Sequence, residues 1–391
     1  MPLYRYYPIP GDRMGFLWCA TQISGLGILE FGPMGTTNFA TRHMGENAPI
    51  YSTHINDHIL TFGDTANLRA AIREMDLSGR FEAIAVAVSS STAIIGFDVE
   101  SFCEEEQDKV KARLIPIAFS ALGTDYTVGL TRAMELFFKT YVEACLQKPR
   151  SYNILGCCAD EYLIENDIKE IQRTLSEMFD YHCRMSYPLN TSLREIRFAA
   201  EAEFNIVLRQ EALPAVMGDY GKLYSSYTDD MCQEMKKLLK EVSEVIRVSP
   251  RCAQLDSVNA LSAHDKEKHV LILGNQNSAN GLLRCLTEEL EMHNVYAMAF
   301  STTTHNKSIQ PYKEEILEKQ MRDTGPDILI GNSILFDFPG HAPSIDIPLL
   351  KPVGIAMKTP RPHYPLRGIS GYNQLTLMLE GKGKGNVLFG E

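Results

Sequence analysis

Three times along the chain a short apolar run ends in a turn of small and polar residues and gives way to a helical periodicity. The first run, Ala83-Ile84-Ala85-Val86-Ala87-Val88, is followed by Ser89-Ser90-Ser91. The second, Ser151-Tyr152-Asn153-Ile154-Leu155-Gly156, precedes residues 160–178, where Ile164, Ile168, Ile171 and Leu175 fall at helical spacing. The third, His269-Val270-Leu271-Ile272-Leu273-Gly274, precedes residues 279–293, where Leu282, Leu286 and Leu290 share one face. Unbroken apolar runs of this kind predict strands buried on both faces, and their recurrence with helices predicts parallel, doubly wound sheets.

Further strands are expected at residues 27–30, 203–209, 295–300 and 327–332, and a helix near 192–200. Longer helices are expected at 103–114, 125–146 and 226–248. The last of these is amphipathic through Met231, Met235, Leu238, Leu239 and Val242. The stretches 147–150 and 249–264 read as linkers. They divide the chain into 1–148, 149–262 and 263–391, with a Pro- and Gly-rich tail from 351 expected to wrap back over the rest.

Composition narrows the class. A chain of 391 residues exceeds one ordinary core, and 45% hydrophobic with 22% charged residues is typical of a globular protein. A net charge of −11 argues against a nucleic-acid surface. No apolar run approaches the roughly 20 residues that span a bilayer, and the first residues lack a secretory layout. The expectation is a cytoplasmic protein that engages neither membrane nor nucleic acid. The nine cysteines are scattered without a CxxC, which is neither a disulfide framework nor a zinc knuckle.

Chemistry is expected where strands end. Gly27-Ile28-Leu29-Glu30 runs into Phe31-Gly32-Pro33-Met34-Gly35-Thr36, a turn at which glycine and proline let backbone approach a partner. The turns Gly156-Cys157-Cys158, Gly274-Asn275-Gln276-Asn277-Ser278 and Gly331-Asn332-Ser333 are expected to converge on a cleft, the usual ligand site of open α/β sheets. None is a G-x-G-x-x-G and none is a P-loop. Cys157 and Cys158 precede a helix N-terminus, which lowers a thiol pKa. They read either as metal or cofactor ligands or as two buried thiols. Lys358, Arg361, His363 and Arg367 lie in a stiff Pro-rich stretch that could serve an anion or donate a proton, or could be a solvated loop. His182 and Arg209 are further candidates for the cleft. His43, His54 and His58 show no metal-ligand spacing.

On these residues the chain resembles component 1 proteins of nitrogenase and the tetrapyrrole-reducing nitrogenase-like enzymes. In that family an early C-x-x-x-G leads through a helix to G-I, a strand and H-G-P-x-G-C. Here Gly11-Asp12-Arg13-Met14-Gly15 leads to Gly27-Ile28 and then Phe31-Gly32-Pro33-Met34-Gly35-Thr36. Asp57-His58-Ile59-Leu60-Thr61-Phe62-Gly63-Asp64 is similar to the family's E-x-D-I-V-F-G-G, and Ser90 through Ile95-Gly96-Phe97-Asp98 to its cysteine and I-G-D-D block. Residues 152–156, 202–207, 326–331 and 367–372 also look like family segments, so the resemblance covers nearly the whole chain. It implies three Rossmann-like domains with parallel sheets flanked by helices around a central cleft.

The departures from the family matter as much. Its three cysteines, which hold an iron–sulfur cluster at the interface of paired subunits, correspond here to Gly11, Thr36 and Ser90. The histidine before G-P corresponds to Phe31, and the cysteine that binds the nitrogenase active-site cofactor to Arg209. Asp12 and Cys19 are possible substitute ligands.

Two readings follow from the resemblance. One is an oxidoreductase subunit that pairs with a related component 1 subunit, in a homo- or hetero-oligomer, and receives electrons from an ATP-dependent iron–sulfur reductase. It would reduce a substrate or cofactor in the cleft, with Cys157, Cys158, Arg209, Arg361 and His363 as contacts. A cluster or metallocofactor would then need ligands from the partner or from unusual residues. The other is a non-catalytic scaffold or metallocofactor-binding protein of the same fold, without its own redox centre. A generic α/β ligand-binding protein is a third reading.

Overall fold

The apolar runs become strands with no exposed face. The structure is a computed structural model that describes residues 9–44, 48–89, 92, 96–119, 124–216, 224–226, 232–251, 260–331, 344–346, 364–381 and 387–388. The chain divides into two compact units, one of Pro10–Glu143 with Pro188–Phe198, the other built from Ala144–Tyr187 and Ala199–Glu391 with the N-terminal residues.

The first unit runs α1 (Asp12–Ala20), β1 (Leu26–Phe31), α2 (Met34–Met44), β2 (Ile50–Ser52), α3 (Ala66–Leu77), β3 (Ala83–Val88), α4 (Val99–Gln107), β4 (Arg113–Ala118) and α5 (Tyr126–Tyr141). Its sheet has the order β2-β1-β3-β4 with every pairing parallel. β1 and β3 are buried at every position. Leu29, Phe31, Val86 and Val88 pack with Leu68 and Ile72 of α3 and Phe102 of α4. α1 lies directly against α5. A Cβ at Gly129 would fall 1.8 Å from the Asp12 carbonyl oxygen, so only glycine permits this crossing. Pro188–Phe198 belongs to this unit because Thr191–Ser192 pairs with Ile23–Ser24.

Residues 103–114 do not form one helix. α4 stops at Gln107, whose side chain donates to the Ala112 carbonyl (3.1 Å) and accepts from the Leu114 amide (2.8 Å). Asp76 takes the Lys111 and Ala112 amides at 2.9 and 2.7 Å. The chain is turned there by side chains that periodicity does not register, and 113–118 becomes an edge strand that tolerates Pro116. The helix expected at 125–146 ends at Tyr141, and that near 192–200 is Leu193–Arg197 with a 3₁₀ turn at Ala199–Glu201.

The second unit carries two sheets. The first contains β5 (Ser151–Cys157), then α6 (Ile164–Phe179), β6 (His182–Pro188), β7 (Phe204–Val207) and β8 (Tyr224–Ser226), in the strand order β8-β7-β5-β6. α7 (Cys232–Ile246) follows. The other sheet comprises β9 (His269–Gly274), β10 (Asn294–Ala299), β11 (Ile309–Pro311), β12 (Ile328–Gly331), β13 (Ser344–Asp346) and β14 (Val387–Leu388), with α8 (Gln276–Arg284), α9 (Glu314–Asp323) and α10 (Gly368–Leu379) between them. Its order is β11-β10-β9-β12-β13-β14, parallel except for β13 with β14. α8 starts three residues earlier than expected because Asn275 caps it, accepting from the Ser278 amide at 2.9 Å. It passes at Cys285 into a π turn. Of the tail, α10 packs Leu375, Met378 and Leu379 into the core of this sheet. Residues 351–363 lie outside the described residues. Among the described residues no helix is long and apolar enough to cross a membrane.

Candidate functional site

Where the first unit's strand-end turns meet, an arginine takes the central place. Gly11 is the exposed N-cap of α1 and bridges by backbone to Asp125. Thr36 is exposed in the first turn of α2, and its hydroxyl donates to the Pro33 carbonyl at 2.8 Å. Arg13, two residues after Gly11, reaches Thr36. Its Nε and Nη2 reach the two carboxylate oxygens of Glu30, each at 2.7 Å, and Nη2 also donates to the Thr36 carbonyl at 3.1 Å. Thr37 adds its hydroxyl to the same carboxylate at 2.7 Å. Glu30, on β1, is only 2% exposed. A carboxylate so buried requires a cation, and the fork of Arg13 meets it with two hydrogen bonds.

Asp12 is half-buried, with Oδ1 accepting from the Arg13 amide at 2.8 Å, and Cys19 is fully buried in α1. Phe31 packs its ring on Phe97 at 4.9 Å. Ser90 lies outside the described residues. Iron–sulfur clusters are held by thiolates. Gly11 offers no side chain, the Thr36 hydroxyl is engaged with Pro33, and the Arg13 guanidinium is bonded to the Thr36 carbonyl. These residues do not fit a cluster, and no electron-transfer step is assigned to them. Among the described residues no group of three or more His, Cys, Asp or Glu side chains is placed to hold a metal ion.

In the second unit, Cys157, Arg209 and Arg367 come together in one buried corner. Cys157 and Cys158 are fully buried. Burial, with Cys183 nearby, pushes the Cys157 thiol well above its ordinary range, and its Sγ donates to the Ile154 carbonyl at 3.7 Å. This is the behaviour of a core thiol; the helix that follows begins only at Ile164. Arg209, just after β7, is 2% exposed. Its Nη1 donates to both oxygens of Asp160 at 2.8 and 3.0 Å, and its Nε to Glu211 at 3.0 Å. Asn277 at the start of α8 donates to the same Glu211 oxygen at 3.0 Å.

Arg367 extends the network, donating to Asp167 at 2.6 Å and to Glu161 at 3.0 Å. Glu161 also lies 3.5 Å from Arg209 Nη1. Four buried carboxylates thus face two guanidiniums. Burial raises Asp160 to about 6 and raises Asp167, each against the pull of its arginine. Burial also opposes the Arg209 charge, yet Asp160, Glu211 and Glu161 hold it well above its ordinary range.

Of the remaining candidates, His182 is exposed at the start of β6. Arg361 and His363, with Lys358, lie outside the described residues. Sequence reasoning missed Arg13 and Glu30, and all four acids around Arg209 and Arg367. The signals existed: Glu30 is the one charge in an otherwise apolar run, and Asp160-Glu161 closely follows the cysteine turn.

Comparison with known proteins adds three findings. A family profile described as nitrogenase component 1 type oxidoreductase matches residues 12–373. One of the subunits of the light-independent protochlorophyllide reductase of Nostoc sp. is 19% identical over 351 residues, which cover 80% of this chain and 69% of that protein. Two solved structures of nitrogenase Cp1 share the fold. One, at pH 6.5, has a TM-score of 0.78 at 13% identity, covering 98% of this chain and 93% of that one. The other, at pH 5, has a TM-score of 0.67 at 14% identity, with 98% and 90% covered.

Proposed function

The chain belongs to the nitrogenase component 1 type oxidoreductases, and on that premise we propose that it is a subunit of a nitrogenase-like complex that supplies no iron ligand of its own. It pairs with a related component 1 protein that brings the thiolates, and electrons enter from an iron–sulfur reductase. The carrying observation is the Arg13 clip. A guanidinium joined to Glu30 at 2.7 Å and to the Thr36 carbonyl at 3.1 Å is bonded at one of the positions where the resemblance expects a cysteine, two residues after another, Gly11. The likeness to one component of a protochlorophyllide reductase supports a heteromeric assembly acting on a tetrapyrrole-like substrate.

A second reading, a scaffold of the same fold without a reaction of its own, is favoured by Arg209. Its bonds to Asp160 and Glu211 occupy the position that corresponds to a cofactor ligand in nitrogenase.

One experiment separates the readings. The chain is purified anaerobically, alone and with a co-encoded component 1 relative that retains the cysteines, and iron, sulfide and the visible spectrum are measured. The first proposal expects no iron in the chain alone, and a stoichiometric brown complex that reduces substrate with reductase and ATP. A brown complex without turnover favours the scaffold. Iron held by the chain alone, or no association with any such relative, overturns the proposal.

A further inference from the structure

We propose that the first unit contains a binding pocket for a small apolar α-amino acid. A cavity of about 300 Å³ lies at the C-terminal end of β4, bordered by the first turns of α1 and α5. The end of a parallel strand is where open α/β sheets place ligands. The volume sits at the small end of the range for ligand sites, which suits an amino acid rather than a nucleotide or a macrocycle.

The walls define the chemistry. Phe16 and Phe119 line the cavity and meet edge to face at 5.5 Å, and Phe137 supports Phe16 from behind at 5.7 Å. Val128 adds an apolar lip that is 48% exposed. The same cavity is bordered by one acid, Asp12, and one base, Arg132. The α1 backbone at Asp12 packs against α5 at Gly129, and Arg132 lies one turn further along α5, so residues of opposite charge border the same cavity. Arg132 donates from Nη1 to the Ala118 carbonyl, which fixes its guanidinium at this end of β4. A guanidinium carries five N–H donors in a fork matched to a carboxylate.

An apolar floor between a carboxylate and a guanidinium fits a zwitterion. The ligand carboxylate meets Arg132, its ammonium meets Asp12, and its side chain lies on Phe16, Phe119 and Val128. An aromatic side chain fits best, because ring edges pack favourably against the Phe16–Phe119 pair. Phe16 is fully buried and α1 meets α5 without an intervening side chain, so the wall is set before the ligand arrives.

The test is calorimetric titration of the purified, iron-free chain, so its outcome is separable from that of the proposed function. The probes are L-phenylalanine and L-leucine, with phenylacetate and 2-phenylethylamine as analogues that keep one charge each. The expected result is saturable binding of the two amino acids, at least about tenfold tighter than either analogue. Arg132→Gln and Val128→Phe, both at exposed positions, should each weaken L-phenylalanine binding at least about tenfold while leaving the thermal melt in place. Absence of binding at millimolar amino acid overturns the proposal. So does an analogue that binds as tightly, or binding that neither variant alters. A variant whose melt falls is replaced by Asp12→Asn, for which the same loss of affinity is required.

Discussion

Gly156 and Arg209 meet so closely that a Cβ on the glycine would lie 2.7 Å from the arginine Cγ, and Gly156 holds a φ of +92°. β5 reaches its polar end through a residue that leaves room for an arginine stem to cross it. Beyond that crossing the guanidinium reaches Asp160 and Glu211. Arg209 is thereby a fastener between the turns that follow β5 and β7.

Gly156→Ala should therefore be costly in two ways. The left-handed backbone strains any L side chain, by about 1–3 kcal/mol, and the methyl group displaces the Arg209 stem. We expect a lower denaturation midpoint by chemical unfolding, with the loss concentrated in the second unit. Hydrogen exchange would show it as faster exchange in β5 and β7, with β1 and β3 unchanged. Uniform loosening of both units would contradict this.

Arg209 itself should be hard to replace alone. Arg209→Met leaves Asp160 and Glu211 buried without their cation, and breaking a buried pair from one side costs about 3–5 kcal/mol. Adding Asp160→Asn and Glu211→Gln to Arg209→Met should recover much of the loss, because the orphaned charges go with it. The check is a comparison of unfolding free energies across the single and triple variants. If the triple variant loses as much as the sum of its parts, the charges are not coupled as the distances indicate.

The sheets were legible in the sequence because runs such as 83–88 and 269–274 bury both faces and leave no competing pattern. β4 was not legible. Cys103, Val110 and Leu114 fall at helical spacing, and the turn depends on Gln107 and Asp76 satisfying backbone groups that no periodicity marks. The candidate sites were legible as places and less so as chemistry. Thr36 and Cys157 were found from the strand ends that present them. Glu30 sits in an otherwise apolar strand, and Asp167 on a helix face that also buries Glu170 and Thr174. Only the geometry pairs Glu30 with Arg13, 17 residues away in sequence, and Asp167 with Arg367, 200 residues away.

Stability should carry the signature of Asp160. Burial lifts its pKa from the usual carboxylate value to about 6, so the native state binds its proton more tightly than the unfolded chain does. The stability this proton supplies is fully present below the unfolded value. It is lost as pH rises through about 6, and Asp167 is shifted in the same direction. Asp160→Asn keeps an acceptor for Arg209 and removes the titration. The variant should gain on the wild type between about pH 4 and 7, by on the order of 2–3 kcal/mol at most. Parallel melting curves for the two proteins across that range would remove Asp160 from the account.

The Arg13 clip makes the last prediction, and it bears on what closes this turn. A cluster joins the segments that ligate it. In this chain Glu30 performs that joining, receiving Arg13 from the start of α1 at 2.7 Å and Thr37 from α2 at 2.7 Å. The turn should therefore hold its shape without metal, and iron chelators should leave the thermal melt of the chain unchanged. Arg13→Ala strands Glu30, which is 2% exposed, with Thr37 alone, and should cost about 3–5 kcal/mol. Adding Glu30→Gln should return part of that stability. Installing thiols by Gly11→Cys and Thr36→Cys should yield no iron binding while Arg13 remains, because its guanidinium, bonded to Glu30 and to the Thr36 carbonyl, would set a positive charge beside the new thiols. Stoichiometric iron in that double variant, or a chelator-sensitive melt in the wild type, would show that the clip is not what closes the turn.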